Sequence, residues 1–225
     1  DKGKQIMIQE DGLVSEKPEV ESLDLNLAKR NIWQITPGKD AQLWGVWREQ
    51  NIASLGHSLI QNFTKKSREE RINEVADYDQ SKHNRGEYQA YLFQEKISEG
   101  DLIVAKHKLN SDVHIYGIGR VTAPYNNDFP TKLSQDYGAH EHQISVSWVA
   151  LGDSSVVVDV YKHNIQGHAF GRLEARTLQN ILSELVSEGA IDTTMIESKL
   201  KTQTGDDRSS NRASIPRQAS EINLD

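Results

Sequence analysis

The sequence predicts an α+β fold: a small curled sheet, mixed or antiparallel and closing toward a barrel, with flanking helices. Three observations predict it. Short apolar runs recur along the chain, and one of them, 144–151, alternates apolar and polar residues as a half-buried strand does. Helical periodicity is confined to an early group and a late group of segments. Gly, Pro, Asn and Asp punctuate the intervals between them.

The element order starts in the stretch 31–59, which holds three of the four tryptophans, Trp33, Trp44 and Trp47. Ile32 to Ile35 is an apolar run and predicts a strand. Thr36-Pro37-Gly38 breaks it, and Thr36 before Pro37 predicts a helix entry. Leu43, Trp44, Val46 and Trp47 then follow at helical spacing, and Ile52 to Leu55 predicts a second strand ending at Gly56-His57.

Polar residues dominate 64–83, where Ser67 and Glu70 have the spacing of a capping box. A helix is expected over about 84–98, with Tyr88, Tyr91, Leu92 and Ile97 on its apolar side and Gly100 ending it. Leu102 to Ala105 reads as a strand, KHKLNSD as a turn, and Val113 to Val121 as the returning strand. Gly117 and Gly119 inside that strand imply a bulge, or a close approach by a ligand or another backbone. Residues 124–142 read as loop. Ile144 to Leu151 and Val156 to Val160 read as two further strands, making five or six in all. Phe170 to Val186 opens a helix with an apolar stripe. A last helix from about Thr194 is capped by Thr194 and Glu197.

This divides the chain into an acidic, flexible lead-in (1–29), a main domain (30–175), C-terminal helices packed on it (176–201), and a polar linker or disordered tail (202–225). The net charge of −7 is uneven: residues 1–27 carry −4, residues 202–225 carry −1, and the remainder carries −2. A near-neutral core lacks the electrostatic footprint of a tight, sequence-blind phosphate binder. With no cysteine, neither a disulfide framework nor a thiolate metal site is possible, which suits a reducing compartment. No apolar run approaches the roughly 20 residues of a membrane span, and a cytoplasmic location is expected, with no membrane partner.

Four segments, in order, carry a family resemblance: IWQITPGKDAQLWGVW (32–47), IASLGH (52–57), EGDLIVAK (99–106) with VHIYGIGRVTAPY (113–125), and ISVSWVAL (144–151). Over residues 31–175 the chain resembles the EVE/YTH-like branch of the PUA superfamily. It is most similar to the modified-DNA-reading modules at the front of McrB-type modification-dependent restriction systems. The sequence departs from that pattern at His57, where relatives often carry an aromatic.

The resemblance implies a PUA/EVE-like barrel whose pocket takes a flipped, often methylated base. Trp33 would form one wall of the pocket, although a purely structural role in the core is the competing reading. Gln34, Thr36, Ser54, His57, Gly117 and Tyr125 would line the pocket and its rim. Lys106, Lys108 and Arg120 would hold phosphates. Trp44, Trp47 and Trp148 read as core. The implied function is a non-catalytic reader of modified DNA, with RNA possible, and of restriction or phage-defence type. It would need no cofactor and would deliver specificity to an effector nuclease or NTPase domain or subunit.

Two alternatives stand beside it. One is a protein-interaction module. The other is a small metal-dependent hydrolase using His140 and His142, which would need a third ligand such as His163 or His168, since zinc takes three or four. No G-x-S-x-G elbow, HExxH pattern or complete dinucleotide loop is present, so no catalytic residue and no metal ligand is assigned.

Overall fold

The computed structural model describes residues 25–56, 67, 69–70, 85–125, 140, 142–152, 154–159, 165 and 169–201. The lead-in up to residue 24, the tail after residue 201, and His57, Asn126, Glu141, His163 and His168 lie outside the described residues.

The fold is α+β, built on a seven-stranded sheet that curls into a half-barrel. In chain order the elements are β1 (Ile32–Ile35), α1 (Trp44–Gln50), β2 (Ile52–Leu55) and α2 (Arg85–Tyr91), which runs into a π-helical turn at Leu92–Lys96. Then follow β3 (Leu102–Leu109), β4 (Asp112–Ala123), β5 (His142–Ala150), β6 (Val156–Asp159), β7 (Phe170–Arg172), α3 (Ala175–Ser187) and α4 (Thr193–Leu200). The strand order is β2-β5-β4-β3-β1-β7, with β6 on the free part of β4. Among the described residues, β1 with β3 is the one parallel pairing and the others are antiparallel. Bulges at Ala105/Lys106 and Val121/Ala123 break the register on either side of β4 and add local twist.

Each face of the sheet buries a separate core. One holds all four tryptophans with Phe93 and Phe170, under α1 and the helix 85–96. The other holds Val104, Ile115, Ile118 and Val149 under α3 and α4, which contribute Leu178, Ile181, Leu185, Ile196 and Leu200. Period-2 alternation sorts the strand residues between them: Ile103 and Ala105 face the aromatic core, while Leu102 and Val104 face the helical one.

The elements depart from the sequence reading in specific places. The helix expected from Phe170 begins only at Ala175, because Phe170 to Arg172 pair with β1 as a short edge strand. Three residues carry no period, so this strand is set by tertiary pairing. It raises the expected five or six strands to seven.

Thr36-Pro37 does not open a helix. The Thr36 amide donates to the Ala169 carbonyl at 2.7 Å, and Gly38 leads a single 3-10 turn with Asp40 and Ala41 at φ 51° and 57°. Strands β3 and β4 extend through the segment expected to be a turn, leaving only Asn110-Ser111 to reverse the chain. The final helix is capped by Asp192, whose carboxylate accepts from the Thr194 amide at 2.8 Å, so Thr194 is inside the helix and not its cap. The Ser67/Glu70 box forms as expected: Glu70 Oε2 accepts from the Ser67 amide (2.7 Å) and Ser67 Oγ accepts from the Glu70 amide (3.2 Å).

Candidate functional site

The aromatic core shapes the region. Gly117 and Gly119 on β4 are the low points into which two tryptophans descend. A Cβ at Gly117 would stand 2.6 Å from the Trp44 ring and 2.9 Å from the Val149 carbonyl; one at Gly119 would overlap Val146 and Trp148. The close approach expected of these glycines is therefore made by indoles, and the space above Gly117 is taken by Trp44. Trp148 meets Trp44 edge-on (5.2 Å between centroids) and lies parallel to Trp47 (6.4 Å). Three indole N–H groups are satisfied, by Asp101 for Trp33 (2.8 Å), Ser54 for Trp47 (2.9 Å) and the Ile52 carbonyl for Trp148 (2.9 Å). The buried Trp44 Nε1 has no hydrogen-bond partner.

Trp33 is 0% exposed. Phe170 stacks on it at 5.3 Å, the Arg172 guanidinium lies 5.0 Å from its ring centroid, and Asp101 holds its N–H. It is a wall of the closed core and offers solvent no face on which a base could stack.

The other residues singled out in the sequence scatter. Gln34, 1% exposed, alternates with Trp33 onto the opposite face of β1, where Nε2 reaches the Arg172 carbonyl (3.5 Å) and Oε1 has no partner. Thr36 is half-buried and engaged through its backbone. Lys106 is 1% exposed, and burial, with a lesser push from Lys108, lowers its pKa to about 8. A lysine so enclosed does not meet a phosphate at the surface. Lys108, two residues on, is exposed. Arg120 Nε donates to the Lys199 carbonyl at 3.1 Å, at the C-terminal end of α4.

Ser54 and Tyr125 each join a hydrogen-bonded set with residues not assigned to the pocket from sequence, Ser54 with His140, and Tyr125 with His142 and Gln94. The register of β2 on β5 places Ser54 opposite Gln143 and Leu55 opposite His142. Ser54 Oγ accepts the Trp47 N–H, which leaves its own proton free for His140 Nδ1 at 3.3 Å. The phenol of Tyr125 lies 3.1 Å from His142 Nδ1, and Gln94 Nε2 lies 3.3 Å from the same nitrogen. The rings of Tyr125 and His142 are 5.4 Å apart, and Gln143 Nε2 donates to the His140 carbonyl at 3.4 Å.

The π-turn explains Gln94. Leu92, Phe93 and Gln94 are buried in succession, which the wider turn permits and a regular helix face does not.

His142 is 3% exposed, and burial lowers its pKa to about 4; burial lowers that of His140 as well. Both imidazoles are neutral at pH 7, so every group joined in these two sets is uncharged. The His142 set ends in an acceptor with no partner, the buried Gln94 Oε1. His140 and His142 each point Nδ1 at a different neutral group, and among the described residues no set of three His, Asp or Glu is placed to hold a metal. Nor is any described helix long and apolar enough to cross a membrane.

The network was partly visible beforehand. His140 and His142 stood out in the sequence only as a possible metal pair, and a glutamine beside Leu92-Phe93 in an apolar helix was the signal for Gln94.

No curated protein matches the chain. Among solved structures, it is similar to a hypothetical protein from Leishmania major (13% identity, TM-score 0.43, covering 72% of this chain and 99% of that one). It is also similar to the YTH domain of the Zygosaccharomyces rouxii MRB1 protein, solved in complex with N6-methyladenosine RNA (10% identity, TM-score 0.38, covering 69% of this chain and 86% of that one). Both likenesses are too distant to carry function across. Residues 33–174 match the model of a family described as a domain of unknown function, DUF8426, and the chain belongs to that family.

Proposed function

We propose that the chain is a nucleic-acid reader module that binds a flipped, modified base, in DNA before RNA. In this reading it has no catalysis of its own and hands its specificity to an effector nuclease or NTPase domain or subunit, as the sequence resemblance to McrB-type systems implies. It works in a reducing cytoplasm, in keeping with the absence of cysteine.

The observation that carries this reading is the neutral set Gln94–His142–Tyr125, with a second neutral pair at Ser54–His140, beside a core holding all four tryptophans. A base edge is planar, uncharged and rich in donors and acceptors. Neutral imidazoles, an amide and two hydroxyls match it; carboxylates or ammonium groups would favour ions instead. Extruding a base costs a few kcal/mol. Stacking on an aromatic such as Tyr125 returns about 1–3 kcal/mol, and edge hydrogen bonds supply the rest. The core charge of only −2 leaves little general attraction to phosphate, so affinity has to come from the base.

The test is binding of duplexes that carry cytosine, 5-methylcytosine, hydroxymethylcytosine or N6-methyladenine at one position. Wild type prefers one modified duplex by tenfold or more, and Tyr125→Ala removes most of that preference. Equal affinity for every duplex, by both proteins, ends this reading.

A further inference from the structure

Buried acceptors are normally paired, and an orphan is costly. Gln94 Oε1 is such an orphan, on a side chain only 8% exposed. Other buried orphans exist, among them Gln34 Oε1 on the opposite face of β1 and Trp44 Nε1 among indoles. Gln94 differs in its surroundings. Its amide nitrogen is fixed on His142 Nδ1, which also faces the half-buried phenol of Tyr125. While Nε2 donates to Nδ1, Oε1 on the other side of the same amide is left unpaired. The acceptor is thus unpaired beside the half-buried ring of Tyr125.

We infer that Gln94 is a specificity-determining residue: its Oε1 accepts an exocyclic amino N–H, so the site takes the 4-amino and 6-amino bases, cytosine or adenine and their modified forms, in preference to bases with a carbonyl at that position. This rests on the reader function proposed above and adds the class of base. The discrimination follows from the direction of one hydrogen bond. An amino group on the ligand pairs the orphan oxygen. A carbonyl in the same place sets two acceptors against each other, in a site where neither can turn to water. Sites built to hydrogen-bond a ligand group reject the analogue lacking it far more strongly than apolar pockets reject a missing methylene. A single methyl on the amino nitrogen leaves one N–H, so N-methylated bases stay within the class.

The deciding experiment uses duplexes in which the target base stands opposite an abasic site, so that pairing strength does not differ between targets. Cytosine is compared with uracil, and adenine with hypoxanthine, pairs that exchange an amino group for a carbonyl at the same ring position. Wild type is expected to bind the amino member at least tenfold more tightly in at least one pair, and Gln94→Leu to bring that ratio close to one. The wild-type ratio decides the matter even if Gln94→Leu folds poorly. Equal or tighter binding of uracil and hypoxanthine overturns the role of Gln94 while leaving a reader in place. Where these unmodified targets are bound too weakly to compare, 5-methylcytosine against thymine makes the same exchange with the methyl kept and gives the ratio; absence of binding to all of these duplexes and to the modified duplexes above overturns both the role and the reader.

Discussion

The Trp44 indole occupies the space that a side chain at Gly117 would need, its ring 2.6 Å from where that Cβ would lie. Conversion of Gly117 to alanine drives the methyl against a ring wedged by Trp148 and against the Val149 carbonyl, which is backbone and cannot swing away. Overpacking of this kind costs about 1–3 kcal/mol. Urea unfolding of Gly117→Ala should show a lowered midpoint; an unchanged midpoint would mean that the Trp44 contact is loose.

Trp33 gives a second prediction. Trp33→Phe keeps most of the apolar volume but removes the N–H that Asp101 accepts at 2.8 Å. Asp101 keeps the Ser98 and Asn31 amides at 3.0 and 3.3 Å, so the loss is bounded at about 1–2 kcal/mol. Base preference should not change, because the indole has no exposed face. A variant of unchanged stability that loses its base preference would return Trp33 to the binding site.

The histidines make a pH prediction. The folded-state pKa of His142 is pushed down to about 4 from an ordinary 6.5. Between those values the unfolded chain binds more protons, so stability is fully present above pH 6.5 and declines as the pH falls toward 4. At about 1.4 kcal/mol per pH unit the decline attributable to His142 is on the order of 3 kcal/mol, and His140 adds to it in the same direction. Unfolding midpoints measured from pH 7.5 to 4.5 should fall more steeply in wild type than in His142→Gln. Parallel curves would show that His142 is not held neutral.

Lys106 behaves oppositely from the phosphate contact that its sequence position implied. Its folded pKa, lowered to about 8 from 10.5 by burial, makes stability rise with pH between those values, where the unfolded chain again binds more protons. Lys106→Met should flatten that rise and leave oligonucleotide affinity within about twofold, as expected of a group out of reach of phosphate. A fall in affinity with an intact alkaline rise would argue for a phosphate contact.

How much of this was legible in the sequence depended on the range of the interaction that sets each feature. Alternation at Ile144, Val146 and Trp148 specified β5, and the periodic stripe of Leu178, Ile181, Leu182 and Leu185 specified the body of α3, because burial imposes those periods directly. The Ser67/Glu70 box is local and formed as read. β7 was hidden because Phe170 to Arg172 are a strand only by virtue of pairing with β1.

The site was half legible. Ser54 and Tyr125 follow the motif order, but Gln94 reaches Tyr125 only through His142, a partner 48 residues away, which no spacing rule encodes. Trp33 and Lys106 misled for one reason: residue type indicates what a side chain can do, and burial, a property of the whole fold, decides whether it faces a ligand.

The central claim is that the Gln94–His142–Tyr125 network reads a base, and its most direct measurement is a nuclear magnetic resonance titration of isotopically labelled protein with the duplex it binds best. The His142 ring nitrogens and the Gln94 side-chain amide should shift on addition of the duplex carrying the preferred modified base, and much less with its unmodified counterpart. Binding that moves other resonances while leaving those of His142 and Gln94 in place would contradict it.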